Sequence, residues 1–362
     1  MKRSRLSALA LTTACSLWAC LLCVGAAEAR PQYGLAKVLK LPGDSGWDYL
    51  AFEQGGHRLF IAHGTQVEVV DTKHLTRIGE IADTPGVHGI ALAPELQRGF
   101  ISAGAANTII EFDLQSLARL KEIKSTGENP DAIIYDPGTQ RVFAFNGRGR
   151  NATVLDARTA EVIGTIELGS KPEFAAADGK GHVYVNLEDK NSLAVIDARS
   201  LALLSVWPLT GCEEPSGLAL NAAASQLYSV CANRVMIVTD AATGRILGTA
   251  PIGGGADAAT YDPGANVAFA SCGEGVLTAV TQTPAGAPEV AQSVSTQRGA
   301  RTMALDERTH RIYLVTASFG ATPAPSAEHP HPRPAILPGT FRLLAVYPHH
   351  EPVTTILEGK AK

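Results

Sequence analysis

Five apolar runs in this chain end at an aspartate, and those aspartates recur at a nearly fixed interval. Asp71, Asp113, Asp156, Asp197 and Asp240 lie 42, 43, 41 and 43 residues apart. A period of that length is the mark of a repeat array, and a unit of four short strands within it is the mark of a propeller blade. The third unit shows the pattern: "PDAIIYD" as strand A, "RVFAFN" as strand B, "NATVLD" as strand C and "EVIGTIEL" as strand D. Val, Ile, Phe and Tyr alternate with small or polar residues, and Gly, Asn and Asp punctuate the runs. The aspartate ends strand C, where its carboxylate accepts a backbone N–H two residues on, so these five are read as turn formers and not as catalysts.

Seven strand A segments can be counted: "WDYLAF", "VHGIAL", "PDAIIY", "PEFAAA", "PSGLAL", "ADAATY" and "ARTMAL". The expected fold is therefore all-β, a seven-bladed β-propeller of four-stranded blades. Blade 6 has "TQTPAGAPEV" where the Asp turn belongs, and blade 7 is interrupted by a Pro-rich loop at 317–340. "LAKVLKLPG" (Leu35 to Gly43) reads as a strand D without a blade. It is suited to closing the ring on blade 7, as is "PVTTILEG" near the C-terminus, and the sequence leaves the two in competition.

Residues 1–29 read as a signal peptide. Lys2, Arg3 and Arg5 precede an apolar core, and "AEA" (Ala27 to Ala29) offers small residues before a cleavage at Arg30. An uncleaved anchor is the alternative; a lipoprotein signal at Cys20 is opposed by the bulky Trp18. The expected organisation is a signal peptide at 1–29 and one propeller domain at 30–362, in the periplasm or secreted, with no membrane span after cleavage. Losing 1–29 removes Lys2, Arg3, Arg5 and Glu28, which leaves 28 basic and 34 acidic residues, a net charge of −6. That balance speaks against nucleic acid as a partner.

Together the repeated "VIDARS" turn, "GCEEPSGLAL", "YDPGANVAFASCGEGVLTAV" and "RGARTMALDERTHRIYLVTASFG" with its Pro-rich sequel resemble the YVTN-repeat, YncE-like family of exported bacterial β-propellers. The resemblance runs from about Leu35 to Tyr347. It implies a propeller and export; it carries across no activity and no catalytic residue.

In a propeller, strand A lines the central channel. Aligning the first polar position of each strand A gives one column: Asp48, His88, Asp131, Glu173, Ser216, Asp257 and Arg301. This column is the candidate ligand-binding site. Its carboxylates and imidazole suit a divalent cation. Arg301 as an anion fork suits a small polar ligand instead. The plain alternative is a water-filled channel whose acids cap turns and pair with Arg301. The Pro-rich loop leaves on the same face, where it is placed to act as a lid, and its His329 and His331 are possible ligands; a solvated loop is the simpler reading. Cofactors are not identifiable.

Cys212 precedes strand A of blade 5 and Cys231 ends strand B, so the two are expected to form a disulfide. Cys272 is either a buried thiol or a rival partner. No nucleophile elbow, phosphate loop, zinc-protease helix or haem attachment motif is present. The leading expectation is a ligand- or protein-binding scaffold using its channel face, partnered by a small polar ligand, a divalent cation or a periplasmic protein. A metal-assisted hydrolase or lyase working through the same residues is the alternative.

Overall fold

The computed structural model describes residues 31–324, 332 and 334–349. The signal segment, His329, His331 and "PVTTILEG" lie outside the described residues. The rest forms seven four-stranded antiparallel sheets. Their inner strands A are Trp47–Phe52, Val87–Ala93, Pro130–Asp136, Pro172–Ala177, Pro215–Asn221, Ala256–Asp262 and Met303–Asp306. Each packs on the next, and the first packs on the seventh, so the ring is closed. Among the described residues no helix is long and apolar enough to cross a membrane.

Closure is made by the N-terminal strand Gln32–Lys40. It pairs antiparallel with Arg342–His349 as the outer strand of blade 7, whose inner three strands come from the other end of the chain. Joining the two ends within one sheet lets the ring close without a covalent link and covers the edge of the C-terminal strand.

The blades cohere through a recurring aromatic. The third residue of strand B is Phe60, Phe100, Phe143, Tyr184, Tyr228, Phe269 or Tyr313, and none is more than 5 % exposed. Each such ring, fully buried, contributes about 1.5–3 kcal/mol. The first residue of several B strands ties neighbouring blades: Arg58 Nη1 donates to the Leu114 carbonyl and Arg141 Nη1 to the Ala198 carbonyl, both in the C–D turn of the next blade.

The periodic aspartates form the turns their position predicts. Asp71 Oδ1 accepts from Lys73 N at 2.7 Å, Asp113 from Gln115 N at 3.1 Å, Asp156 from Arg158 N at 2.8 Å, Asp197 from Arg199 N at 2.9 Å and Asp240 from Ala242 N at 3.0 Å. In blade 6, Thr281 stands at the aspartate's position, and the turn that follows is held instead by Thr283 Oγ1, which accepts from Ala287 N at 3.1 Å. Cys212 and Cys231 are joined by a disulfide with Cα atoms 5.4 Å apart, and Cys272 is a buried free thiol that burial pushes up to about 11.

A candidate ligand site at the channel mouth

Every column residue of blades 1 to 6 sits at an irregularity in strand A. In blade 1, Trp47 pairs with His63 and Leu50 with Ile61, so Asp48 and Tyr49 together face the single residue Ala62. The same two-against-one step brackets His88, Asp131, Glu173 and Ser216, and blade 6 has its own register shift at Asp257. A bulge frees a residue from the ladder and re-aims its side chain. Repeated around the ring, it turns six polar side chains toward one mouth. Arg301 stands just before the short strand A of blade 7.

Three of the seven converge tightly. His88 Nδ1 is 2.7 Å from Asp48 Oδ2 and 3.8 Å from Asp131 Oδ1, so an imidazole of blade 2 links carboxylates of blades 1 and 3. One candidate ligand atom from each residue lies within 4.8 Å of the other two, close enough to share a metal ion. Burial opposes the imidazolium, but the Asp48 hydrogen bond and the Asp131 charge outweigh it and raise its pKa to about 9. Burial, with Asp48 and Asp257 nearby, pushes Asp131 up to about 6 against the pull of His88 and Lys171.

Two more form a pair: Arg301 Nη1 donates to Asp257 Oδ2, and Arg301 Nη2 reaches the Trp47 carbonyl at 3.3 Å. Glu173 stands apart from these groups, with Lys171 Nζ 2.6 Å from its Oε1; Lys171 also pairs with Glu188. Burial and the Asp131 charge push Glu173 up to about 8, against Lys171. Ser216 does not join the charged groups. Its Oγ donates to the Ala256 carbonyl at 3.1 Å and so fastens blade 5 to blade 6.

The channel is not an open tube. Tyr49 and Phe174 follow the column residues Asp48 and Glu173, and their rings lie 4.6 Å apart. Blades 1 and 4 are not neighbours, so this contact crosses the channel and gives the polar mouth a floor. Burial first, then the charges of Asp257, Glu173, Asp48 and Asp131, raise the Tyr49 phenol well above its usual range, which keeps it a neutral donor. Sequence reasoning missed Tyr49, Phe174 and Lys171. The signal for the first two was an aromatic beside a column acid in opposite blades.

The result is a bowl on a seven-bladed propeller, lined by four acids, an imidazole and a guanidinium, half-buried and closed beneath by an aromatic pair. No family model matches the chain, and no curated protein matches it in sequence. Solved structures do match in fold. A chain of the structure of U3-55K is 9 % identical with a TM-score of 0.72, covering 87 % of this chain and 99 % of that one. A chain of the mitotic checkpoint complex is 12 % identical with a TM-score of 0.70, covering 96 % of this chain and 99 % of that one. At such identities the likeness is one of fold alone.

Proposed function

We propose that this chain is an exported propeller of the YVTN-repeat, YncE-like kind that binds a small polar ligand in the floored bowl at its channel mouth. The carrying observation is the Tyr49–Phe174 contact across the channel, which turns a ring of charges into a closed-ended site. A ligand bearing both an amine and an acid or carbonyl group meets complementary partners there: Asp48, Asp131 and Glu173 for the amine, Arg301 and Lys171 for the acid. Export to the periplasm or beyond is supported by the signal pattern of residues 1–29 and by a disulfide, which persists in oxidising compartments.

A divalent cation at Asp48, His88 and Asp131 is the second reading, favoured by the closeness of their ligand atoms. It is the form in which the hydrolase or lyase alternative would stand, since a bound ion would supply the activated water. A protein-binding scaffold is the coarser version of the same proposal, with the bowl face as the contact surface.

The test is thermal melting of chelator-treated protein against amino acids, diamines, small dicarboxylates and divalent cations. The proposal expects at least one organic compound to raise the melting temperature with concentration, and an Asp131→Asn/Asp257→Asn variant to lose that response. A response to divalent ions alone replaces it with the metal reading, and no response to any of them removes both.

A further inference from the structure

Beside the bowl, on the same face, a cleft of about 600 Å³ opens between blades 6, 7 and 1. We propose that it is a second site, adjoining the bowl at Arg301 but with its own apolar wall, one that takes a small organic anion with a flat apolar body. Its volume falls in the range of small-molecule sites. Trp47, Phe319 and Ile336 supply apolar lining, and Arg298 supplies a guanidinium; Arg301 lines the cleft as well, with its own guanidinium paired to Asp257. The acid that lines it, Asp44, already accepts a hydrogen bond from Gly339 N at 2.5 Å. Arg298 therefore puts a cation on one side of the cleft, with aromatic lining on another.

Two observations point to a missing acceptor. The Arg298 guanidinium is exposed, stands 5.7 Å from the centre of the Phe319 ring and pairs with no carboxylate among the described residues. Trp47 is 9 % exposed, and its indole N–H is buried without a hydrogen-bond partner. A buried donor of this kind ordinarily has an acceptor. An anion seated on Arg298 with its ring against Phe319 brings acceptor oxygens to that guanidinium, beside the wall that Trp47 helps to form.

The base of the blade 7 insertion builds the wall. Phe319 and Ile336 form a β-bridge, Gly320 N donates to Ala335 O at 2.9 Å, and Leu337 N donates to Ser318 O at 2.8 Å. The sequence's interruption of blade 7 therefore has a structural product, an aromatic wall next to the channel mouth. Nearby, Gly299 has φ +85°, and a Cβ there would come within 2.7 Å of the Phe319 ring, so glycine leaves the space that the ring fills.

The experiment uses the chain without residues 1–29, labelled with ¹⁵N at tryptophan, and titrates it with 2-naphthoate, 2-naphthyl phosphate, 2-naphthalenemethanol and inorganic phosphate. A Trp207→Phe variant assigns the Trp47 indole resonance. The proposal expects either naphthyl anion to move that resonance saturably, with the neutral alcohol and inorganic phosphate each at least tenfold weaker. Arg298→Gln should weaken anion binding at least fivefold with an unchanged melting temperature, and Asp131→Asn, a bowl substitution, should leave it within twofold. Equal binding of the alcohol, equal binding of inorganic phosphate, indifference to Arg298→Gln, or no saturable shift each overturns it. Loss of binding in Asp131→Asn would assign the anion to the bowl and overturn the second site.

Discussion

His88 of blade 2 lies with Nδ1 2.7 Å from Asp48 Oδ2 of blade 1, so a proton on the imidazole is held between two inner strands. Asp131 at 3.8 Å and the Asn129 side chain also face it. Folding raises this pKa from 6.5 to about 9. The unfolded chain then releases the proton at lower pH than the folded one. The added stability is whole below pH 6.5, declines through the interval and is gone above pH 9, a change on the order of 3 kcal/mol. Urea midpoints of chelator-treated protein between pH 6 and 9.5 should fall; Glu173, held up to about 8, adds to the fall below pH 8, and His88→Gln should remove its own share, including the part above pH 8. An equal slope in the variant would assign it elsewhere.

Gly217 marks a close approach of two inner strands. A Cβ there would meet Ala259 N at 2.5 Å and the Ala258 backbone at 2.6 Å. Backbone cannot step aside as a side chain can, so Gly217→Ala should cost about 1–3 kcal/mol. Thermal melting checks this, and a neutral outcome would mean that blades 5 and 6 are less tightly packed than described.

Cys212 and Cys231 close a loop of 19 residues in sequence separation. In the chain-entropy account that link contributes about 3 kcal/mol. A Cys212→Ser/Cys231→Ser variant should lose that much in urea unfolding. In protein lacking residues 1–29, thiol reagent should find one thiol after denaturation without reductant, Cys272, and none in the native state, where it is buried.

The N-terminal strand should be indispensable despite its exposed surface. Deleting residues 31–40 uncovers the backbone edge of Arg342–His349 and leaves blade 7 with three strands. We expect a broadened melt and concentration-dependent association by light scattering. A sharp, monomeric melt would mean that another segment can take the same place.

Much of this molecule was legible in its sequence, and the exceptions share a cause. Strand order, turn aspartates and the blade count follow from local pattern repeated at 41–43 residues, and local pattern is what a sequence displays. The column of channel residues was legible because it shares the same period. The floor was not, since Tyr49 and Phe174 are 125 positions apart and meet only once the ring has closed. Ser216 matched the column by position, yet its hydroxyl is used by a neighbouring carbonyl. Which strand closes blade 7 was undecidable for a related reason: outer strands such as Gln32–Lys40 are largely exposed and carry a weak apolar pattern.

The most direct test of the bowl as a binding site is native mass spectrometry of the protein recovered from cells without added ligand. The account predicts a small organic adduct on the wild-type chain that is lost in Asp131→Asn/Asp257→Asn. A wild-type chain of bare mass, unchanged after incubation with small-molecule extract at high concentration, would contradict it.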